Sequence, residues 1–561
     1  MERKRLLKGL YCAGIMMFFF AWVLPACFDS PGAAPKPQAP AAAGPRAAAT
    51  VPYGTPTNVP PFDPLGSAYV LTAWSDTGMR LFSDCDAVFS LGGPFVTLRA
   101  QLVKRGPKPE IVTEGVTLSY VLEDMQAPKA VSPSGLTPRG EMKAAGGVFA
   151  AEGVPVAPYT AKGEYQPYPL VRVEARDPAT GAVLAATKAV LANSAKYGCA
   201  GCHGGDASVP GISPETAGKI LAAHDKLSGT KLAAEAAAGK PAACVSCHPE
   251  TGGSGHLPLS ASLHGFHARK VNDFGAQACT ACHPATAPTV FSRDHHADRG
   301  LSCIRCHGEM PVHAAGLLLA PGSAGTKSAA KLLALLGDQV KTVAPRAPWT
   351  SEPDCSGCHN FTTRPATATA SAAGKWTKDA GDLYHLRKDD AQVLDCAACH
   401  GAAHATYPSE NPLGRDRDNI APIEYQGFAK PLGANGNCAV CHTQDMDPAA
   451  SVHHPIPART GTLVHFPAGY APTRVQALFP HPAHAQFDCK KCHHAGFVDG
   501  GSMRCSQPGC HDQGDPGSGD PLAFRNAFHG EGASCFACHQ AERKAGRPFG
   551  PLACGGCHVV K

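Results

Sequence analysis

The chain has little net charge: 50 Lys and Arg stand against 45 Asp and Glu, leaving +5 with histidine neutral. So small an imbalance, with no nucleic-acid-binding motif beside it, gives no footprint for a polyanion, and nucleic acid is not among the expected partners. Long apolar runs are equally scarce. The one present, residues 10–24, follows Arg3, Lys4, Arg5 and Lys8. At about fifteen residues it falls short of the roughly twenty that a membrane span needs, so it reads as an export signal. Unpaired cysteine is almost missing too: of 25, only Cys12, Cys27 and Cys85 stand outside one repeated pattern. That leaves nothing from which to build a separate disulfide framework.

The other 22 cysteines form eleven pairs, and a histidine follows the second member of each. Seven units come first: Cys199, Cys202 and His203; Cys244, Cys247 and His248; Cys279, Cys282 and His283; Cys303, Cys306 and His307; Cys355, Cys358 and His359; Cys396, Cys399 and His400; Cys438, Cys441 and His442. Four more follow closely: Cys489, Cys492 and His493; the wider Cys505, Cys510 and His511; Cys535, Cys538 and His539; Cys554, Cys557 and His558. Cys-x-x-Cys-His is the attachment signature of c-type haem, in which two thiols become thioethers on the haem vinyl groups and the next imidazole reaches the iron. Structural zinc also uses paired cysteines, but it takes two pairs per metal and gives no reason for a histidine after every second cysteine. The expected cofactor is therefore covalent haem c (heme c), eleven copies.

The last stretch adds unpaired histidines to its four units: His481 and His484 before the first, His494 directly after His493, and His529 before the third. In order and spacing, residues 474–561 resemble the class III tetrahaem cytochrome c family. That resemblance implies two histidines on every iron. It pairs His481 with His493, His494 with His511, His484 with His539 and His529 with His558. It also implies redox partners of the family's kind: periplasmic hydrogenase or formate dehydrogenase, a membrane redox complex, or other cytochromes. A basic cluster at Arg543, Lys544 and Arg547 corresponds to that family's docking rim for acidic partners; a solvated charged face is the simpler reading.

Methionine, the other common axial ligand, is scarce: beyond the leader only Met79, Met125, Met142, Met310, Met446 and Met503 remain. Histidine is not, since 27 less eleven in the motifs leaves sixteen for eleven distal positions. Upstream of the class III-like stretch the candidates are His224, His264, His267, His296, His385, His404 and His453. His295 competes with His296 and His454 with His453, and His256, His313 and His465 are the spares. Two imidazoles give a saturated, low-spin, low-potential iron that carries electrons and binds no substrate. The expectation is an electron-transfer protein rather than an enzyme. The alternative is a multihaem oxidoreductase with one open iron, acting on a nitrogen or sulfur oxyanion; no motif histidine is replaced by lysine, which counts against it.

Residues 1–27 are expected to be a signal. Leu24, Pro25, Ala26 and Cys27 resemble a bacterial lipobox, which implies a lipid anchor on Cys27; an uncleaved anchor and ordinary cleavage are the alternatives. Residues 28–64, rich in Ala and Pro, read as a solvated tether. Residues 65–194 carry no haem motif, and the period-2 alternation at 95–103 and 116–122, with D-P-A-T-G between 170–175 and 182–186, predicts a small β-sandwich-like domain. The sequence around Trp74 resembles an N-terminal module of long exported multihaem cytochromes. Cys85 reads as a small buried apolar residue. Residues 195–470 form a heptahaem region and 471–561 a class III type tetrahaem domain. With 371 residues for eleven haems from Leu191 onward, about 34 apiece, the fold class expected is mostly irregular and haem-packed, with short helices. Ser213, Pro214 and Glu215 predict a capped helix that carries His224, and a second helical patch covers 332–336. The location expected is exported, periplasmic or associated with the outer membrane.

Overall fold

Seven strands follow one another along a single hydrogen-bonded path in the N-terminal part of this computed structural model, which describes residues 59–558 apart from short stretches. The longest of those are 125–137, 360–371, 444–450, 454–461 and 493–504. The expected signal at 1–27, with Cys27, and most of residues 28–64 lie outside the described residues. Numbered along the chain, the strands are β1 (Tyr69–Ser75), β2 (Phe95–Lys104), β3 (Glu110–Ile111), β4 (Thr117–Glu123), β5 (Arg139–Ala145), β6 (Val148–Pro155), β7 (Leu170–Arg176) and β8 (Val183–Val190). The path runs β1-β2-β6-β5-β4-β7-β8, all antiparallel, with short β3 beside β2. The end strands β1 and β8 pack side by side, so the expected two-sheet sandwich is in fact one sheet curled into a nearly closed barrel. Register breaks at Val96/Leu98 and Val183/Ala185 supply the local twist for this coiling.

Inside the curl lies an apolar core that includes Leu71, Leu98, Leu102, Leu118, Val154, Val171, Val173 and Ala175. Each such aliphatic chain, fully buried, contributes about 1.5–3 kcal/mol. The turn predicted at D-P-A-T-G is present: Asp177 Oδ1 accepts from Ala179 N at 2.8 Å, and Gly181 N donates to Asp177 O at 2.8 Å. Strand β1 shows why alternation missed it. Leu71 and Ala73 face the barrel core, while Val70 and Trp74 pack outward against Ala421, Val440, Ala397 and Ala398. Both faces are buried, so both are apolar.

Downstream the elements are short helices and turns. Helix α1 (Pro214–Ser228) begins where the capping residues predict, with Ser213 Oγ accepting from Thr216 N at 3.1 Å, and stops at the left-handed Gly229. Helices α2 (Leu259–Val271), α3 (Met310–Leu319) and α4 (Lys327–Leu336) pack around Ala261, Ala268, Leu317, Leu318 and Leu336. An ordinary protein core thus exists here within a region expected to be mostly irregular. Among the described residues no helix is long and apolar enough to cross a membrane.

Several bonds join the barrel to the motif-bearing chain. Arg105 donates to Val440 O, Ala439 O and Ser67 O at 2.9, 2.8 and 2.7 Å. The Tyr425 hydroxyl, on helix α5 (Ile420–Gln426), donates to Leu71 O at 2.7 Å and accepts from Leu71 N at 3.1 Å. The Arg293 and Asp418 pair, 1% and 4% exposed, is joined at 2.7 and 3.1 Å, and the same guanidinium reaches Gly78 O and covers the Tyr168 ring.

Candidate cofactor centres

Most of the described motifs are one tight turn. The histidine N–H donates back to the carbonyl of the first cysteine at 2.8–2.9 Å in the units ending in His203, His248, His283, His359, His442 and His558. A single helical turn puts both thiols and the imidazole on one side, the arrangement that a tripod of two thioethers and one metal bond needs. The widened unit keeps this closure: His511 N donates to Cys505 O at 2.9 Å, so the ends are no farther apart than in the other units. Among the described residues no three or more His, Cys, Asp or Glu side chains gather as a metal-ion site, and the described cysteines are all unbridged.

Across from the motif rings stand other histidines. The ring centres of His203 and His267 are 6.4 Å apart, of His248 and His224 6.4 Å, of His283 and His264 6.2 Å, of His307 and His404 6.1 Å. Those of His359 and His296 lie at 6.0 Å, of His442 and His453 at 6.4 Å, of His539 and His484 at 6.1 Å, and of His558 and His529 at 5.9 Å. Two imidazoles on one metal, with bonds of about 2.0–2.1 Å and about 1 Å more to each ring centre, have centres about 6 Å apart. One such pair would be an ordinary aromatic contact; the same spacing at eight motif histidines fits a shared iron.

The far nitrogens are occupied in a way that suits this. Nδ1 donates to a carbonyl in His248 (Leu257 O, 2.7 Å), His264 (Ser260 O, 2.8 Å), His267 (Leu263 O, 2.8 Å), His484 (Pro480 O, 3.1 Å) and His539 (Pro551 O, 2.9 Å). A carboxylate takes the same place at His296 (Asp294, 3.2 Å) and at His453 (Asp389), and His224 Nδ1 meets Thr230 Oγ1 at 3.0 Å. With the proton held at Nδ1, Nε2 keeps the lone pair that a metal takes. At the third and fourth units burial favours neutral rings: desolvation pushes His264 and His283 down to about 4, and holds His307 well below the usual imidazole range.

Neighbouring sites touch. Gly198 N donates to Cys282 O at 3.1 Å, and a Cβ on Gly198 would lie 1.8 Å from Ala281 O, so the first and third units meet backbone to backbone where only glycine fits. The thiols of Cys279 and Cys303 are close enough to act on each other, as are Cys306 with Cys358 and Cys355, Cys355 with Cys396, and Cys399 with Cys441. This links units three to seven in sequence. The turn at Cys438–Val440 then packs against the helix at Cys554–Cys557. A cavity of about 2760 Å³ runs through this part and is lined by cysteines or histidines of the fourth to eleventh units. It is far larger than the roughly 300–1,000 Å³ of a single-ligand pocket.

Six of the seven expected upstream histidines face a motif ring: His224, His264, His267, His296, His404 and His453. The seventh, His385, does not; its charged neighbours are Asp76 and Arg99, and it meets no motif ring among the described residues. His295 sits beside His296, with centres 4.1 Å apart, rather than opposite a motif. The spare His256 comes within 5.7 Å of His248, on which His224 also converges. His404 holds its ring from a backbone at φ 56°, a left-handed strain characteristic of functional positions. Cys489, His493, His494, Cys510, His454, His465 and the side chain of His481 lie outside the described residues. The orienting carboxylates Asp294 and Asp389 were not foreseen. Asp294, next to His295 and His296, was open to notice; Asp389, far from His453 in the chain, was not.

Residues 457–558 match the family model described as Class III cytochrome C family. A cytochrome c3 from Maridesulfovibrio salexigens is 36% identical over 108 residues, 19% of this chain and 99% of that protein. The chain belongs to the class III cytochrome c family. A second cytochrome c3, from Desulfovibrio desulfuricans, is 34% identical over 105 residues, 18% of this chain and 97% of its own. Among solved structures, the di-tetraheme cytochrome c3 from Desulfovibrio gigas matches at 29% identity and a TM-score of 0.16, over 18% of this chain and 94% of that one. Class III cytochrome c membership implies covalent haem c, and it rests on the C-terminal fifth of the chain. Within that class III region, two of the implied histidine pairs, His484 with His539 and His529 with His558, stand 6.1 and 5.9 Å apart with planes within 20° and 11° of parallel.

Proposed function

We propose that this protein is a low-potential electron conduit that holds eleven c-type haems, each between two imidazoles. Bound haem supplies reversible one-electron chemistry at each site. The chain's residues do the rest. The paired cysteines fix each group, the motif histidine and its opposite ring saturate the metal, the Nδ1 partners hold each ring's proton away from the metal, and the apolar cavity walls keep water out. The observation that carries this reading is the repeated 5.9–6.4 Å spacing of motif and non-motif rings, on sites whose cysteines adjoin one another in series. Within this reading residues 28–64 tether an exported protein, anchored through lipid on Cys27 at the periplasmic or outer membrane, and residues 65–194, 195–470 and 471–561 are the haem-free, heptahaem and tetrahaem parts. Its partners are redox proteins of the kind that class III cytochromes serve: hydrogenase, formate dehydrogenase, membrane redox complexes or other cytochromes.

The deciding measurement is electron paramagnetic resonance of the oxidised protein, followed by carbon monoxide difference spectroscopy after reduction. All irons are expected to be low-spin and unreactive to carbon monoxide near neutral pH. A high-spin signal of about one haem in eleven, with a matching carbon monoxide adduct, would replace the conduit with an oxidoreductase.

A further inference from the structure

Among the described residues Arg346 is a cation with no anion beside it. Its Nη1 donates to the ring of His313, its guanidinium carbon lies 4.1 Å over the Trp376 ring, and its Nε is enclosed and has no hydrogen-bond partner. Arg346 is only half-buried as a residue, but among the described residues no carboxylate pairs with it, in contrast to the fully buried Arg293, whose charge meets Asp418. Burial alone lowers Arg346 to about 10, with no neighbouring negative charge acting the other way. An enclosed guanidinium without a counter-ion is costly, and chains rarely retain one unless something anionic completes it.

The surroundings say where that anion belongs. The His313 ring that Arg346 touches is centred 4.7 Å from His264 and 5.8 Å from His307, between the third and fourth centres. Trp376, beneath the guanidinium, is itself 6.0 Å from His307. His313 is spoken for: it accepts from Arg346, so its own proton sits on the other nitrogen and it has no lone pair to offer a metal. His404 therefore stands opposite His307, and His313 serves as a spacer that steers the guanidinium.

We propose that Arg346 is a carboxylate-binding residue that receives a propionate of the haem held by Cys303, Cys306 and His307. Guanidinium geometry suits a carboxylate, since two parallel N–H groups match its two oxygens. The inference rests on the haem reading above. A small anion from solvent could neutralise the same cation, and the test separates the two sources.

The full-length protein is matured with haem-attachment machinery as wild type, Arg346→Gln and Arg346→Lys, and each is characterised by intact mass and by a spectroelectrochemical titration. Eleven haems in the wild type test the underlying reading by themselves. Arg346→Gln should keep all eleven but lower the midpoint potential of one haem, because removing a nearby positive charge favours the ferric state. Arg346→Lys should restore much of the wild-type potential. The wild-type titration should be the same in chloride and in phosphate at equal ionic strength; a dependence on the anion would assign the site to a solvent ion and overturn the propionate. Unchanged potentials in Arg346→Gln would overturn it as well. If Arg346→Gln loses haem while Arg346→Lys keeps eleven, charge at this position is needed and the proposal stands. Equal loss in both would reduce Arg346 to a packing partner of Trp376 and sink it.

Discussion

At the scale of single residues, His404 and His385 make the sharpest pair. Both are non-motif histidines in the same part of the chain, and sequence alone ranks them together. The fold separates them: His404 lies 6.1 Å from the His307 ring, with planes within 14° of parallel, while His385 meets no motif ring among the described residues and has Asp76 and Arg99 as its charged neighbours. Since His404 sits at φ 56°, where glycine is at home, His404→Gly removes the ring while relieving rather than adding backbone strain. It should convert about one haem in eleven to a high-spin, carbon monoxide-binding form at full haem content. His385→Ala should leave the low-spin spectrum as it is. Had the two variants behaved alike, ring spacing would be no guide to ligation in this protein.

Among the elements, the contact between barrel and motif region is polar where it is most enclosed. Arg293 and Asp418 are both almost inaccessible, and the pair ties the stretch between the third and fourth units to the stretch after the sixth and to Gly78, just after β1. Removing one partner leaves a buried, uncompensated charge, which typically costs 3–5 kcal/mol. Asp418→Asn is therefore expected to lower stability by about 3 kcal/mol or more, read as a drop in the denaturant midpoint with haem content unchanged. A change within about 0.5 kcal/mol would show the pair to be dispensable. The elements themselves were legible to differing degrees. Ser213 and Pro214 announce helix α1 because capping is a local matter, and strands β2, β4 and β7 declare themselves by alternation because one face of each meets the core. Strand β1 is buried on both faces and so carries no period, and curling of the sheet into a barrel depends on bulges that no sequence pattern in this chain marks.

On the scale of the whole molecule, the class III part joins the rest where Cys554–Cys557 packs on Cys438–Val440, with Asn437 Oδ1 just 3.4 Å from where a Cβ on Gly556 would lie. The two described histidine pairs of the class III part close within it, as do the two that its family resemblance implies. A fragment of residues 472–561 with its own export signal should accordingly mature with four haems, all low-spin, by intact mass and paramagnetic resonance. Recovery with fewer would mean that the seventh unit's side of the junction takes part in building the domain rather than merely adjoining it.

What the sequence by itself determined about this protein is the chemistry of attachment. Two thiols and an imidazole so close in the chain, within five residues in all units but the widened one, meet on one turn whatever the rest of the chain does, so the motif cysteines and histidines could be read directly, as could the class III likeness at the C-terminus. Which distal ring meets which motif was decided only by the tertiary structure. His267 faces the ring of the first unit and His264 that of the third, from one helix and three residues apart, because their rings diverge from helix α2 toward motifs that are brought together by the close approach at Gly198. His404 reaches back to His307 across a long intervening stretch held by Arg293 and Asp418. A ligand pair of this kind is a long-range contact, and its partners carry no shared local pattern: the position of each ring is set by the packing of everything between them.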